Sequence, residues 1–210
     1  MAAGLGDLCV FLLVRHGAHA LGGGVVAGRS AEAPLSDAGR EQARRAARRI
    51  GHLPVRAIYS SPVQRAMQTA DILAEAMGLP VQLSDSLSEI DYGQWTGRKL
   101  DELRTQELWK GWCEFRSGTR VPGGELMSQV QARVVAEMLR LRDRHRGEYV
   151  ALVSHGDVIK AAVAYFLGVP LDLFQRIEIS LASVSAVALG DRGPWVLCVN
   201  NTAEVVLFPD

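Results

Sequence analysis

The stretch Leu8-Cys9-Val10-Phe11-Leu12-Leu13-Val14, followed at once by Arg15-His16-Gly17, decides the fold. A continuous apolar run this short is a strand buried on both faces, typically the centre of a parallel sheet. It is too short to span a membrane. No basic segment precedes it, so a secretory leader is not expected.

Working outward, strands and helices alternate. Ser36 offers an N-cap for a helix over residues 37–50. Residues 57–59 read as a strand, and Ser61-Pro62 as the cap and first position of a helix to Met77, with Gly78 as its stop. Residues 80–83 read as a strand. A helix over 128–145 carries Val130, Val134, Met138 and Leu141 on one stripe. Residues 149–153 read as a strand and 156–167 as a helix. The remainder reads as strands at 177–181, 184–189 and 195–199, the last two joined at Gly190 to Pro194. The alternation predicts a three-layer α/β/α sandwich around a mostly parallel sheet, with an antiparallel edge strand near the C-terminus. Residues 92–124, with Trp95, Trp109, Trp112 and Phe115, break the rhythm. They read as an insertion over one end of the sheet, within a single domain spanning 1–210.

At 210 residues a chain buries roughly 70% of its unfolded surface and needs no disulfides. Lys plus Arg total 23, equal to Asp plus Glu, so there is no basic excess for nucleic acid. The three cysteines show no CxxC spacing, which argues against a disulfide framework or thiolate zinc site. These features point to a cytoplasmic protein with no membrane or nucleic-acid partner. Short apolar strands near the C-terminus would suit a homodimer.

Ligands of open α/β sheets bind at the carboxyl ends of strands. Arg15-His16-Gly17 follows the first strand and Ser60-Ser61-Pro62 the second, with Arg65 close behind. Glu89 lies in the loop after the third strand, and Ser154-His155-Gly156 follows the fourth. Two guanidiniums can fork onto a phosphate. The helix start at Gly156 adds backbone donors. A neutral imidazole can attack phosphorus, a second histidine can hold equatorial oxygens, and a carboxylic acid can protonate the leaving alkoxide. The arginines and one imidazolium would supply the positive charge, so the chemistry calls for no cofactor and no metal. A metal reading of His16 and His19 is disfavoured, because Gly17 breaks the helix that would present both. Gly22-Gly23-Gly24 lacks the ending of a nucleotide-binding P-loop.

Leu13-Val14-Arg15-His16-Gly17 resembles the signature of the histidine phosphatase superfamily, also called phosphoglycerate mutase-like. Residues 34–43, 60–70, 87–97, 122–125 and 153–156 are similar to its further motifs, in the family's order. The resemblance implies a six-stranded mixed sheet with one antiparallel strand. It implies His16 as the phosphate-accepting nucleophile, Arg15, Arg65 and His155 on the phosphoryl group, and Glu89 as proton donor. The expected activity is metal-independent hydrolysis of a small phosphate ester. Phosphomutase activity is the alternative, and non-catalytic phospho-ligand binding the lower one. Arg98, Lys99, Arg116 and Arg120 are candidates for the second anion site a mutase would need. Two departures stand out: many members have Ser or Thr where His19 stands, and Asn where Gly22 stands. Either His19 or a backbone amide near Gly22 substitutes as phosphate ligand, or phosphate is held less tightly.

Overall fold

The computed structural model describes residues 6–30 and 33–203. Its strands are β1 (Cys9–Arg15), β2 (Val55–Ser60), β3 (Val81–Leu83), β4 (Tyr149–Ser154), β5 (Val184–Gly190) and β6 (Gly193–Asn201). Its helices are α1 (Asp37–Ile50), α2 (Gln64–Met77), α3 (Leu100–Arg104), α4 (Glu107–Glu114), α5 (Met127–Arg144) and α6 (Gly156–Leu167). The sheet order is β3-β2-β4-β1-β5-β6.

The apolar run of β1 is explained by its surroundings. Cys9, Phe11 and Leu13 face one core with α5 and α6. Val10, Leu12 and Val14 face the other with α1 and α2. Successive side chains of a strand point to opposite faces, so helices on both faces require an unbroken apolar sequence. The expected three-layer sandwich is what forms.

β1, β2, β3 and β4 are parallel, while β5 runs antiparallel to both of its neighbours. The single reversed strand therefore lies second from the edge, not at the edge as the sequence suggested; β6 closes the sheet. Two further expectations are corrected. Residues 177–181 form no strand: they follow a 3₁₀ turn, Leu171–Arg176, and their backbone is spent elsewhere, the Ile179 carbonyl on Arg15 and the Ser180 amide on the Asn200 side chain. α2 starts at Gln64 instead of Pro62, because the Ser61 hydroxyl accepts the Val63 N–H (3.2 Å) before the helix begins. Among the described residues, no helix is long and apolar enough to cross a membrane.

Residues 92–124 hold a 3₁₀ turn, Gly93–Trp95, then α3 and α4. Trp95, Trp109 and Trp112 pack ring against ring at 5.0–5.4 Å between centroids. Trp95 and Trp112 are buried, so these rings build a small core and offer no stacking platform.

Candidate functional site

Sheet register brings the strand ends together. Arg15 pairs with Ser154, and Ser60 with Val153, so β1, β4 and β2 stop level. The ladder then continues one residue further: the His16 amide donates to the Ser154 carbonyl (3.0 Å) and the Ser61 amide to the Val153 carbonyl (3.0 Å). His16, His155 and the start of α2 are thus placed by backbone bonds.

The His16 ring is fixed as one tautomer. Nδ1 lies 2.7 Å from the Gly17 carbonyl, which can only accept, so Nδ1 carries the proton and Nε2 the lone pair. The same peptide unit is held from the other side, since the Ala18 N–H donates to Gln42 Oε1 (2.8 Å) on α1. The Gly17 N–H donates to Thr69 Oγ1 (3.2 Å), whose hydroxyl donates in turn to the Arg65 carbonyl. Gly17 has no room for a side chain: a Cβ there would sit 2.3 Å from the Gly39 carbonyl oxygen.

Arg65 lies at the centre and is almost wholly buried. Its Nε donates to His16 Nε2 (3.1 Å), and its Nη2 to the Gly28 carbonyl (2.8 Å) and His155 Nδ1 (3.2 Å). Among the described residues its Nη1 has no partner, nor has the buried Nε of Arg15. An unmet buried donor costs about 1–3 kcal/mol, which an anion held there would relieve. Gly156 opens α6 against Arg15; a Cβ there would lie 3.2 Å from the guanidinium.

His155 is set the opposite way from His16. Its Nδ1 accepts from Arg65, so Nε2 carries the proton and donates to Ser61 Oγ (2.8 Å). Burial holds both imidazoles well below the ordinary histidine range, and the Arg65 charge adds to this. Both are therefore neutral without a bound anion. The expected imidazolium is absent in this state, and the positive charge comes from the arginines alone.

Glu89 Oε1 accepts from the Ile90 N–H (3.0 Å); Oε2 lies 3.6 Å from both Arg65 Nη2 and His155 Nδ1. Burial pushes its carboxyl up to about 7, against the pull of Arg65 and helped by the nearby Asp157 charge. Asp157, on the first turn of α6, takes Arg116 Nη1 (3.0 Å) and the Tyr92 hydroxyl (3.2 Å) on one oxygen.

Ligand-capable atoms of His16, Glu89 and His155 lie within 4.8 Å of one another. Yet Arg65 already donates to the lone pairs of both histidines, the ones a metal would need. The enclosure suits an anion. The His19 ring lies 5.9 Å from that of His16, with a buried Nδ1 that has no partner among the described residues. The Gly22 amide is spent on the His19 carbonyl (3.1 Å), which leaves His19 and the neighbouring amides as candidate substitutes for the missing Asn.

Of the candidates for a second anion site, Arg116 is neutralised by Asp157. Arg98 pairs with Glu102 at the surface, and Arg120 donates to the Gly124 carbonyl and Gln129. Sequence reasoning missed Gln42, Ser61, Thr69, Tyr92 and Asp157 as site residues. Tyr92 and Asp157 carried a signal, standing three residues after Glu89 and two after His155.

The family model described as "Histidine phosphatase superfamily (branch 1)" matches residues 11–202. Phosphoserine phosphatase 1 of Hydrogenobacter thermophilus is 32% identical over 176 residues, covering 83% of each chain. The "Probable phosphoglycerate mutase GpmB" of Enterobacter sp. is 32% identical over 169 residues, covering 79% of this chain and 77% of that one. Among solved structures, Bacillus stearothermophilus YhfR superposes with a TM-score of 0.84 at 27% identity, over 93% of this chain and 98% of its own. A mycobacterial glucosyl-3-phosphoglycerate phosphatase gives 0.82 at 26%, over 92% and 99%.

Proposed function

The chain belongs to the histidine phosphatase superfamily, and from that premise we propose that it is a metal-independent phosphomonoester hydrolase working through a phosphohistidine on His16. The observation that carries this reading is the locked His16 tautomer, whose Nε2 lone pair faces buried guanidinium donors. The phosphoryl group is small and dianionic, and Arg15 and Arg65 have the unmet N–H groups to hold it. As Arg65 turns to the phosphate it releases Nε2. Nε2 then attacks phosphorus in line, the P–O bond to the leaving group breaks, and the protonated Glu89 gives its proton to the departing alkoxide. In the second half, Glu89 as carboxylate takes a proton from water, and the oxygen attacks phosphorus. The P–N bond breaks, inorganic phosphate leaves, and His16 regains its lone pair. His155 contributes a ring beside the phosphoryl oxygens, and His19 is the candidate substitute for the Asn that Gly22 replaces.

Names of relatives point both ways, to phosphatases and to phosphoglycerate mutases. A mutase must clamp a second anion while water is excluded. The neutralisation of Arg116 by Asp157 supports the hydrolase. We read residues 1–210 as one domain, with 92–124 forming a wall over the site. The three unpaired cysteines support a cytoplasmic location.

The test is release of inorganic phosphate from a panel of phosphomonoesters in EDTA, for wild type and His16→Ala. The expected result is turnover that survives EDTA and vanishes in the variant, with an acid-labile phosphoprotein trapped in the wild type. Loss of turnover in EDTA would overturn the metal-free route. Phosphoryl transfer between hydroxyls of 3-phosphoglycerate without phosphate release would establish the mutase.

A further inference from the structure

We propose that Asn200 and Arg49 are positioning residues for the phosphoryl site, acting from a distance through the turn 180–183, which sets where Arg15 stands. This rests on the reading of Arg15 as a ligand of the phosphoryl group.

Among the described residues only two that are not glycine have a positive φ, Ala182 (54°) and Asn200 (57°). Such backbone is costly for a residue with a Cβ, and it persists only where its surroundings over-determine it. Both residues belong to one device. The turn is closed by the Ser183 N–H on the Ser180 carbonyl (3.1 Å). Ala182 holds its third position, where a positive φ ordinarily calls for glycine.

This short segment meets the site three times. The Ala182 N–H donates to the His16 carbonyl (3.3 Å), and the Ser183 carbonyl accepts the Arg15 N–H (3.2 Å). Just ahead of the turn, the Ile179 carbonyl accepts Arg15 Nη1. That bond anchors the guanidinium and leaves its buried Nε, without a partner among the described residues, for an anion.

Two side chains grip the turn from behind. Asn200 Oδ1 accepts the Ser180 N–H. The Asn200 N–H goes to Ser185 Oγ (3.0 Å), where β6 sets two residues, Val199 and Asn200, against one of β5. Bulges of this kind re-aim a side chain beside a site, and Asn tolerates left-handed backbone better than most residues. Arg49, on α1, donates from Nη1 to the Ala182 carbonyl (2.9 Å) and from Nη2 to the Thr202 carbonyl (2.8 Å). Ala182 is thus bonded through both backbone groups, towards His16 and towards Arg49. Among the described residues neither the Asn200 nor the Arg49 side chain bonds to Arg15 or His16 itself.

The experiment measures kcat and KM for p-nitrophenyl phosphate, and the dissociation constant of inorganic phosphate, in wild type, Asn200→Gly and Asn200→Asp. Glycine keeps the left-handed backbone and loses the acceptor; aspartate keeps both. Melting temperature checks folding. Asn200→Gly should raise KM and weaken phosphate binding by about tenfold, with kcat changed less. Asn200→Asp should stay within about threefold of wild type. Asn200→Gly is also made on Arg15→Ala, where it should change kcat/KM by less than about twofold, because the group it positions is gone. Equal losses on both backgrounds, or no loss in Asn200→Gly alone, overturn the proposal. If Asn200→Gly does not fold, Arg49→Met, which frees the Ala182 carbonyl, is held to the same criteria. A wild type that binds phosphate but hydrolyses no ester defeats the hydrolase reading alone, and the same variants are then judged on phosphate affinity. A wild type that binds no phosphate defeats both.

Discussion

His16 and His155 stand at strand ends where the backbone itself is bonded into the sheet, and Arg65 stands one turn beyond β2. Tyr92, Trp112 and Arg116 instead come from a stretch with a 3₁₀ turn and two short helices, held by ring packing, by side-chain bonds to Asp157 and Asp172, and by backbone bonds to residues 24–26 outside the sheet. The first region is set by register, which cannot drift without flipping side chains to the wrong face. The second depends on contacts that can be exchanged one residue at a time. Chemistry common to all phosphate esters belongs with the first, and choice among esters with the second. Glu89 sits on the seam, touching Arg65 and His155 on one side and feeling Asp157 on the other.

The seam gives the largest expected effect. Glu89→Gln should lower kcat/KM for alkyl phosphates by roughly 10²–10⁴-fold, and for p-nitrophenyl phosphate much less, since that leaving group needs little protonation. In wild type, turnover of alkyl esters should fall as pH rises past about 7, where Glu89 gives up its proton. Equal losses on both substrates would take Glu89 out of the proton-donor role. Next comes the register-bound region. Arg65→Lys keeps the charge but loses the fork, and should cost about 10²–10³-fold on every ester, activated or not. A loss that varied with the leaving group would blur the division drawn here.

Stability provides the third test. Glu89 has an ordinary value of 4.5, raised to about 7 by burial. Between those pH values the folded protein keeps a proton the unfolded chain has lost, so stability falls as pH rises through this window. Glu89→Gln removes that penalty. It should be more stable than wild type at pH 8, by up to about 3 kcal/mol, with the gap closing towards pH 4.5. Urea unfolding of both proteins at several pH values measures it, and the difference cancels the opposite trend from the two buried histidines. The smallest effect is at Gln42. Gln42→Ala frees the 17–18 peptide that sets the His16 tautomer. One buried hydrogen bond is worth about 1–1.5 kcal/mol, so kcat should drop about tenfold with KM little changed. The ¹⁵N shifts of the His16 ring should show a mixture of tautomers; a single unchanged tautomer would make Gln42 merely structural.

The division also governs how far the sequence could be read. β1 was legible because a strand covered on both faces must be apolar throughout, and α1 because Ser36 caps it as its sequence advertises. His16, Arg65 and His155 were legible because each follows a strand and sits in a recognisable motif. Residues 177–181 were misread because β-prone residues there spend their backbone on Arg15 and Asn200, partners far along the chain. Gln42, Ser61 and Thr69 escaped for the same reason. Their side chains matter through bonds to loops that only the folded topology brings near. Asp157 was hidden differently, since an acid at a helix start already has a sufficient explanation in the helix dipole.

The central place of β1 has a consequence for how the chain is made. Val10 pairs with Tyr149 on one side and Ala188 on the other. The ribosome therefore releases the strand leading to the nucleophile long before either neighbour exists, and β2, the next strand made, is not beside it. Until β4 and β5 emerge, Cys9–Arg15 is an unpaired, strongly apolar segment in a sheet dominated by distant pairings. Such topologies fold slowly, and their early products are the ones that aggregate or call on chaperones. The reactive histidine is thus synthesised long before the strands that lock it in place.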